Sequence, residues 1–390
     1  MKKLVALLLC LGLAFAPACV KKDDGTKIKI GVYMPLTGGT ATFGISSTNA
    51  IKLAADEVNA EGGINGKLVE LVVQDTRSES QEAATVVTRL VTQDRVVALL
   101  GEVASSRSIA AAPIAQSNKV PLLTPSSTNP EVTKKGDFIF RSCFIDPVQG
   151  QAIATFAAKK LNAKRAAILI DKKNDYSVGL GKFIMETFKS LGGEIVVEQA
   201  YQEGDSDFNG QLTAIKGSSP EVIFVPGYYT EVGLIAQQAR KQGINVPLVG
   251  GDGWDSERLY EIGKEALADC YFSNHYSVDD PDPKVQKFVK DYKARYGGAV
   301  PDALAATAYD AAKIMFAAIK SAGSTDGTAI RDALAKTKDF QGITGVVTIN
   351  ADRNAVKPIV VIKIEKGGKF SVADKVNPEG ASTASTGGSK

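Results

Sequence analysis

Side chains that carry catalytic chemistry or bind metals are scarce in this chain of 390 residues. It has one histidine, His275, and no His-x-x-x-His or Glu-x-x-His spacing surrounds it. No Gly-x-Ser-x-Gly elbow occurs either, so a zinc enzyme and an exported Ser–His–acid hydrolase are both disfavoured. Adjacent acids such as Asp279 with Asp280 have the character of solvated loops. We therefore expect no enzyme activity, no metal and no cofactor, and a structural role for His275.

Long apolar runs and an excess of one charge are also missing. Beyond the N-terminus no stretch approaches the roughly 20 apolar residues that a membrane span needs. The net charge is +3, from 46 basic and 43 acidic residues that are interleaved along the sequence. A nucleic-acid surface would concentrate lysine and arginine on one face or in one run, so we expect no nucleic-acid partner.

The N-terminal segment has the organisation of an export signal. Two lysines precede an apolar run at 4–16, and small residues come before Cys19. Cleavage before Cys19 would leave a cysteine at the new N-terminus, where a bacterial lipoprotein carries its lipid; an ordinary signal peptidase would cut the same bond without lipidation. We predict a signal peptide at 1–18, an extracytoplasmic or periplasmic protein, and lipidation of Cys19, through which the protein would contact the membrane.

Cysteines are too few for a disulfide framework. Apart from Cys10 in the signal and Cys19, only Cys143 and Cys270 are present. An even count in an oxidising compartment is compatible with one disulfide, and buried free thiols are the alternative. No Cys-x-x-Cys pair occurs, so redox catalysis and structural zinc are disfavoured.

Apolar strands alternate with amphipathic helices after residue 27. Predicted strands lie at 28–33, 68–73, 96–100, 120–123, 166–170, 195–197, 222–225, 246–249, 345–349 and 359–364. Predicted helices lie around 51–58 and at 80–94, 109–117, 179–191, 208–216, 232–242, 284–296, 303–322 and 328–336. This alternation indicates parallel sheets covered on both faces, and its two successive series indicate two α/β lobes. The tail at 376–390 lacks an apolar stripe and is predicted to be disordered.

Polar side chains follow the strands of both series, where open parallel sheets bind ligands. The first series supplies hydroxyls, including Ser105 and Thr128, which together with helix N-termini suit a carboxylate. The second supplies Asp252, Tyr176 and Tyr228, which suit an ammonium group and an apolar body. Singly, each has a plainer interpretation, such as a helix cap or a turn. Together they describe a site for a zwitterion, and we predict an α-amino acid ligand.

Several motifs have an order and spacing that is shared with a known family. They are Ile30-Gly31 with Pro35-Leu36-Thr37-Gly38, the run 56–66, Asp75-Thr76, the run 125–131, Phe140-Arg141, and the runs 205–208 and 227–229. From about 27 to about 373 the chain resembles the periplasmic branched-chain amino acid (leucine/isoleucine/valine) binding proteins of ABC transporters. The resemblance implies the type I solute-binding fold: two doubly wound parallel-sheet lobes, joined by three crossover strands, that close on a ligand by a hinge.

The same resemblance implies where the lobes begin and end. Lobe 1 is implied at 26–146 and 277–345, and lobe 2 at 147–276 and 346–375. The crossings are implied near 143–147, 274–277 and 344–350. His275 then falls at the second crossing, while Cys143 and Cys270 fall in different lobes, which weighs against a disulfide between them.

The family's pattern also implies roles for polar residues of the site. Ser105 and Thr128 are implied to bind the ligand carboxylate through hydroxyl and backbone N–H groups. Ser126 is implied to offer its backbone carbonyl to the ammonium group. Asp252 stands where the family frequently has a glutamate that pairs with the same group, and it is one methylene shorter.

The remaining implied contacts form an apolar pocket. Its walls are implied to be Phe43, Val103, Leu304 and Trp254, with Tyr176 and Tyr228 closing over the ligand from lobe 2. These walls indicate an apolar or branched-chain side chain, which the receptor would deliver to the membrane permease of an ABC transporter.

Two alternatives stay open within this fold. The protein would act as a ligand sensor if it fed a signalling partner instead of a permease. It would alternatively bind another small carboxylate or amide, although an unpaired acid at Asp252 would repel a simple anion. The sequence does not determine which amino acid is bound.

Overall fold

The computed structural model describes residues 26–376. The predicted signal peptide and Cys19 lie outside the described residues, as does the predicted tail from 377 onward. Val376, which the prediction placed in that tail, instead ends the last strand.

The strands agree in position with the sequence prediction, with several additions. They are β1 (Lys27–Met34), β2 (Leu68–Asp75), β3 (Ala98–Gly101), β4 (Leu122–Thr124), β5 (Ile139–Arg141), β6 (Arg165–Asp171), β7 (Glu194–Tyr201), β8 (Val222–Phe224), β9 (Leu248–Gly250), β10 (Cys270–Asn274), β11 (Phe340–Gly342), β12 (Gly345–Ile349), β13 (Ala355–Val356), β14 (Ile359–Ile364) and β15 (Phe370–Val376). The prediction missed β5, β10, β11, β13 and β15.

The helices alternate with these strands. They are α1 (Ala41–Ala60), α2 (Ser80–Thr92), α3 (Ser105–Ser117), α4 (Asp146–Lys159), α5 (Asp175–Ser190), α6 (Asn209–Gly217), α7 (Tyr229–Lys241), α8 (Glu257–Gly263), α9 (Pro283–Arg295), α10 (Ala303–Ala322) and α11 (Gly327–Ala335). The sequence prediction missed α4 and α8.

Two sheets organise the described residues. The first has the order β2-β1-β3-β4-β5 and is parallel throughout. The second has the order β15-β14-β10-β9-β8-β6-β7, in which β14 alone runs antiparallel to both of its neighbours and β15 has the same direction as the remaining strands. A small sheet of β11, β12 and β13 lies beside them. The predicted fold class, two doubly wound α/β lobes, is confirmed.

We call the part built on the first sheet, with α1–α3 and α9–α11, lobe 1, and the part built on the second sheet, with α4–α8, lobe 2. Strand order reverses between β1 and β3 in lobe 1 and between β6 and β8 in lobe 2. At such points the loops after neighbouring strands diverge and leave a crevice at the carboxyl edge of the sheet. The topology therefore predicts where a ligand would sit in each lobe.

Burial explains why the central strands are continuous apolar runs. Leu99 and Leu100 of β3 are both fully buried, because helices cover both faces of the sheet. On one face α10 packs against α1, and its many buried alanines allow the two helices to approach closely. The late helices thereby return to lobe 1 although they follow lobe 2 in sequence.

The chain passes between the lobes three times, at segments that differ in structure. After β5 residues 142–145 are irregular, and Asp146 and Pro147 already belong to α4. After β10 residues 275–277 are irregular too, whereas the third passage uses β12 and β13. Of the implied first crossing at 143–147, residues 143–145 are thus irregular and 146–147 begin a helix, as a proline after an acidic residue favours.

Cys143 and Cys270 are both buried free thiols, and no disulfide joins them within the described chain. This agrees with the expectation from their separate lobes. Burial raises the pKa of the Cys143 thiol to about 12. Both cysteines therefore act as small packing groups.

Candidate functional site

A cavity of about 210 Å³ lies between the lobes at the carboxyl ends of their strands. Its lining residues are Val103, Ser105, Ser126, Tyr176, Tyr228, Asp252, Gly253 and Leu304. All of them except Gly253 were predicted from the sequence as binding residues. Larger openings of about 900 and 1330 Å³ lie at the second crossing and on the outer surface of lobe 1. They do not join the polar strand ends of both lobes, so the smaller cavity is the candidate site.

The lobe 1 wall presents a hydroxyl at a helix N-terminus. Ser105 is the first residue of α3, and no described side chain caps this helix. The Ser105 hydroxyl accepts a hydrogen bond from the Asn129 N–H at 3.1 Å, so it does not serve as the helix cap itself. Free N–H groups and the positive end of the helix dipole favour an anion here.

Ser126 and Thr128 follow β4 on the same wall but differ in position. The Ser126 hydroxyl donates to the carbonyl of Val103 at 3.3 Å, and both residues line the cavity. Thr128 is buried and does not line it. Its backbone carbonyl accepts the N–H of Asp146 at 3.0 Å. Its hydroxyl has no hydrogen-bond partner among the described residues.

The lobe 2 wall presents an acid that begins a short turn and lies beside two stacked tyrosine rings. Asp252 begins a short 3₁₀ turn, Asp252–Trp254, directly after β9. The hydroxyl of Tyr176 donates to Oδ1 of Asp252 at 2.9 Å. The rings of Tyr176 and Tyr228 stack at a centroid distance of 5.2 Å and an angle of 16°. The acid predicted to meet the ammonium group thus sits in the cavity wall.

Close backbone packing explains the glycine that follows Asp252. A Cβ atom on Gly253 would lie 2.7 Å from the carbonyl oxygen of Gly227 and 2.8 Å from the ring of Tyr228. The Gly253 N–H also donates to the Tyr176 hydroxyl at 3.2 Å. Glycine therefore brings the turn against the tyrosines, and this contact places the Asp252 carboxylate.

His275 contacts the other oxygen of Asp252, a relationship that the sequence analysis missed. Its Nε2 atom lies 2.9 Å from Oδ2 of Asp252, and the ring stacks on Phe144 at 3.9 Å. Burial lowers the pKa of His275, and the hydrogen bond and charge of Asp252 do not offset this. His275 follows β10 directly, but the sequence analysis did not predict that strand, so the strand-end argument did not select this residue.

Phe43 and Trp254 are placed away from the cavity surface. Phe43 is fully buried and meets the rings of Tyr228 and Tyr229 edge-on, at 6.3 and 4.8 Å. Trp254 lies in the core of lobe 2, where its Nε1–H donates to the Val225 carbonyl at 3.0 Å. Trp254 does not line the cavity in this arrangement, because the tight 3₁₀ turn directs residues 252 and 254 to different sides.

Direct contacts join the lobes around the cavity. The Thr42 hydroxyl bonds to the Tyr229 hydroxyl at 2.7 Å, and the Asp175 N–H donates to the Ser106 hydroxyl at 2.8 Å. Arg107 of lobe 1 pairs with Glu203 of lobe 2 at 3.0 Å. The lobes are therefore closed on each other, and the walls of the site face each other across a narrow gap.

Neither a metal-binding cluster nor a membrane-spanning helix occurs within residues 26–376. This range contains no group of three or more histidine, cysteine, aspartate or glutamate side chains arranged to hold a metal ion. None of its helices combines the length and apolar character needed to cross a membrane.

Comparisons with known proteins agree with this architecture. The sequence model of the family described as "Periplasmic binding protein" matches residues 27–369. The Leu/Ile/Val-binding protein BraC3 of Rhizobium johnstonii is 32% identical, over 89% of this chain and 92% of its own length. The leucine-binding protein LivK of Thermotoga maritima is similar in structure, with a TM-score of 0.86, 42% identity, and coverage of 90% of this chain and 99% of that chain.

A second solved structure is similar to the same degree. It is the branched-chain amino acid transporter substrate-binding protein LivJ of Streptococcus pneumoniae, in complex with isoleucine. Its TM-score is 0.85 and its identity 39%, over 90% of this chain and 100% of that chain. Because the family match and these likenesses extend over most of its length, the chain belongs to the periplasmic binding protein family.

Proposed function

We propose that the protein is an extracytoplasmic solute receptor that binds one α-amino acid, apolar or branched-chain, between its lobes and delivers it to an ABC permease. One observation carries the proposal: a hydroxyl at a helix N-terminus and a buried acid face each other across one small cavity. No covalent step is required for this function, and we propose that the protein is not an enzyme.

The carboxylate of the ligand would bind at the lobe 1 wall. Burying a charge costs much free energy unless hydrogen bonds or a counter-charge replace the lost water. The first turn of α3 offers backbone N–H groups, and Ser105 offers a hydroxyl beside them. Thr128 does not line the cavity while the lobes are closed, so we assign the carboxylate chiefly to Ser105 and the helix terminus.

The ammonium group of the ligand would bind between Asp252 and the carbonyl of Ser126. A carboxylate has about four lone-pair sites, and Tyr176 and His275 each occupy one of them. Asp252 therefore retains the capacity to accept further hydrogen bonds from an ammonium group. The negative charge of Asp252 would repel a simple anion, so such a ligand fits the lobe 2 wall poorly.

An apolar side chain would fit between the remaining walls. Val103 and Leu304 supply aliphatic surface, and the stacked rings of Tyr176 and Tyr228 supply aromatic surface. The gap between these walls is narrow because the lobes are closed on each other. A ligand of the size of one amino acid is therefore favoured over a peptide.

Delivery to a permease is the role that the relatives support. The similar protein from S. pneumoniae is described as the substrate-binding protein of a branched-chain amino acid transporter. A receptor that closes on its ligand presents a different surface from the open form, which a permease could recognise. A sensor would feed a signalling partner through the same closure, and the functions of neighbouring genes would distinguish the two roles.

Attachment to the membrane is a separate part of the proposal. The small residues before Cys19 support cleavage at that position and a lipid on the cysteine. Mass spectrometry of the N-terminal peptide from membranes of the producing bacterium tests this directly. We expect an acyl mass on Cys19; an unmodified N-terminal Cys19 would mean that the protein is exported without a lipid anchor.

Titration calorimetry with a matched set of ligands tests the binding function. We expect L-leucine, L-isoleucine or L-valine to bind, and 4-methylpentanoic acid and 3-methylbutylamine, which each lack one charged group of leucine, to bind at least 100-fold more weakly. The reason is that each loses one of the two charge-complementary walls. Equal binding of 4-methylpentanoic acid would favour the alternative of a small carboxylate ligand.

A further inference from the structure

The carboxylate of Asp252 is held at both oxygens by side chains from different parts of lobe 2. Tyr176 at the start of α5 donates to Oδ1, and His275 after β10 bonds to Oδ2, each at 2.9 Å. The backbone N–H of Asp252 donates to Gln149 at 2.9 Å. An aspartate has few rotatable bonds, so these contacts leave its carboxylate in one orientation. Tyr176 already lines the cavity, whereas His275 acts from behind the acid.

Burial lowers the pKa of His275, and the hydrogen bond to Asp252 then identifies the tautomer of its neutral ring. A neutral imidazole has one N–H and one bare nitrogen, and only the N–H can donate to a carboxylate. The proton therefore lies on Nε2. Nδ1 has no hydrogen-bond partner in residues 26–376, and the ring is 2% exposed and stacked on Phe144. A second proton on Nδ1 would be buried without an acceptor, which is costly.

A neutral hydrogen-bond donor differs from a charged one in its effect on the charge of Asp252. Lysine or arginine at this place would orient the acid but would also cancel its charge. A neutral imidazole orients the acid and leaves its negative charge for the ligand. We propose that His275 is a positioning residue for ligand binding: as a neutral Nε2–H donor it holds Asp252 toward the ammonium group of an amino acid, and its protonation weakens that binding. This inference rests on the proposed function.

Other titratable groups surround the pair and must be separated from His275. They are Cys143 and Asp146 near the first crossing, Tyr176 of α5, Asp255 after the 3₁₀ turn, and Lys357 before β14. Burial raises the pKa values of Cys143, Asp146, Tyr176 and Asp255, and it lowers that of Lys357 to about 8. Comparing the pH dependence of ligand binding in the wild type and in a His275 variant separates the titration of the imidazole from that of these other groups.

Two substitutions separate the hydrogen bond from the packing. In His275→Phe the ring still stacks on Phe144 but no donor remains. In His275→Gln the amide nitrogen can donate to Asp252 and does not titrate. For L-leucine at pH 7.5 we expect the phenylalanine variant to bind at least tenfold more weakly than wild type, and the glutamine variant to bind within threefold of it.

The dependence of L-leucine affinity on pH distinguishes a positioning role for His275 from a purely structural one. As the pH is lowered from 7.5 to 5, we expect the affinity of the wild type for L-leucine to fall by a larger factor than that of the glutamine variant. The fall lies below pH 6.5, the ordinary pKa of histidine, because burial lowers the pKa of His275. Equal profiles for both proteins, or unchanged affinity in the phenylalanine variant, would overturn the proposal.

His275 is the chain's single histidine, so the imidazole can also be observed without any ligand. Nitrogen-15 NMR of the protein without a histidine tag should show a neutral ring protonated on Nε2 at pH 7. A ring protonated on Nδ1, or on both nitrogens, would refute the proposal whatever the variants do. A wild-type protein that binds none of L-leucine, L-isoleucine and L-valine would instead contradict the proposed function, while the NMR result would still decide the state of His275.

Discussion

Arg107 and Glu203 join the two lobes through an ion pair in which Arg107 is buried and Glu203 is partly exposed, with 3.0 Å between Nη2 and Oε1. Arg107 belongs to α3 and Glu203 follows β7, so the pair bridges the edge of the cleft. The same guanidinium donates to Thr40 at 2.6 Å and lies 3.9 Å from the buried acid Glu102. Its charge is therefore compensated within lobe 1, and the contact with Glu203 can break on opening without leaving a bare charge.

The substitution Glu203→Gln should shift the lobes toward the open state. A partly exposed ion pair contributes up to about 1 kcal/mol, which corresponds to roughly a fivefold change in a binding constant. We expect calorimetry to give three- to fivefold weaker L-leucine binding, because the ligand must then supply that part of the closure free energy.

The matched control for this variant is Glu194→Gln. Glu194 pairs with Arg165 at 2.9 Å, but both residues lie on the exposed surface of lobe 2. We expect no change in L-leucine affinity from this control. An equal loss in both variants, or none in either, would mean that the cross-lobe pair does not contribute to closure.

Replacement of the acid in the site should abolish ligand binding while leaving the fold intact. Asp252→Asn keeps the size of the side chain and one acceptor but removes the charge. We expect at least 100-fold weaker L-leucine binding in calorimetry and a melting temperature within a few degrees of wild type. Alanine is a poorer test, because it would leave the Tyr176 and His275 donors buried without an acceptor, at about 1–3 kcal/mol each.

The control for the acid is Asp279→Asn, which changes an exposed aspartate after the second crossing. It makes the same chemical change outside the cavity and should bind L-leucine as the wild type does. If Asp252→Asn retained wild-type affinity, the acid would not contact the ammonium group, and the assignment of the lobe 2 wall would be wrong.

Trp254 offers a test that separates a core role from a pocket role. Trp254→Phe removes the hydrogen bond to Val225 and leaves a void in lobe 2. We expect the free energy of unfolding to fall by about 2 kcal/mol in urea titrations followed by circular dichroism. L-leucine affinity should stay within twofold of wild type. A tenfold loss of affinity at unchanged stability would return Trp254 to the pocket wall.

The fold was largely predictable because its central strands are buried on both faces. Such strands are continuous apolar runs, as at β3, and they alternate with helices that have one apolar stripe. One exception is α4, whose buried residues include Asp146, Gln149, Ala152 and Ala154 and so lie on several sides of the helix. A helix packed on more than one side has no clean stripe, so periodicity did not identify it. Edge strand β15 was missed because apolar and polar residues alternate only weakly along it.

The sequence predicted those site residues whose place in the cleft follows from their position at a strand end. It did not predict contacts that depend on the direction in which a side chain points. Ser105, Tyr176 and Asp252 follow strand ends and therefore meet at the cleft. Trp254 follows the same strand, but the geometry of a 3₁₀ turn sends it into the core. The contact of His275 with Asp252 depends on how the second crossing folds back on lobe 2, which local sequence does not encode.

Asp146 should make the folded protein less stable as the pH rises. It is fully buried at the start of α4, and its Oδ2 atom has no hydrogen-bond partner within the described residues. Burial raises its pKa to about 8, from an ordinary value of 3.8. The folded state thus binds a proton that the unfolded state releases, so stability is greatest at low pH and declines as the pH rises from about 4 to about 8.

The substitution Asp146→Asn removes this dependence, because the amide is neutral at every pH and keeps the shape of the protonated acid. A single such group changes the free energy of unfolding by at most about 1.4 kcal/mol per pH unit inside that window. In urea titrations at pH 5.5 and 8 we expect wild type to lose more stability than the variant between the two values. Parallel losses would show that Asp146 is ionised in the folded protein, with Arg141 or a water molecule stabilising its charge.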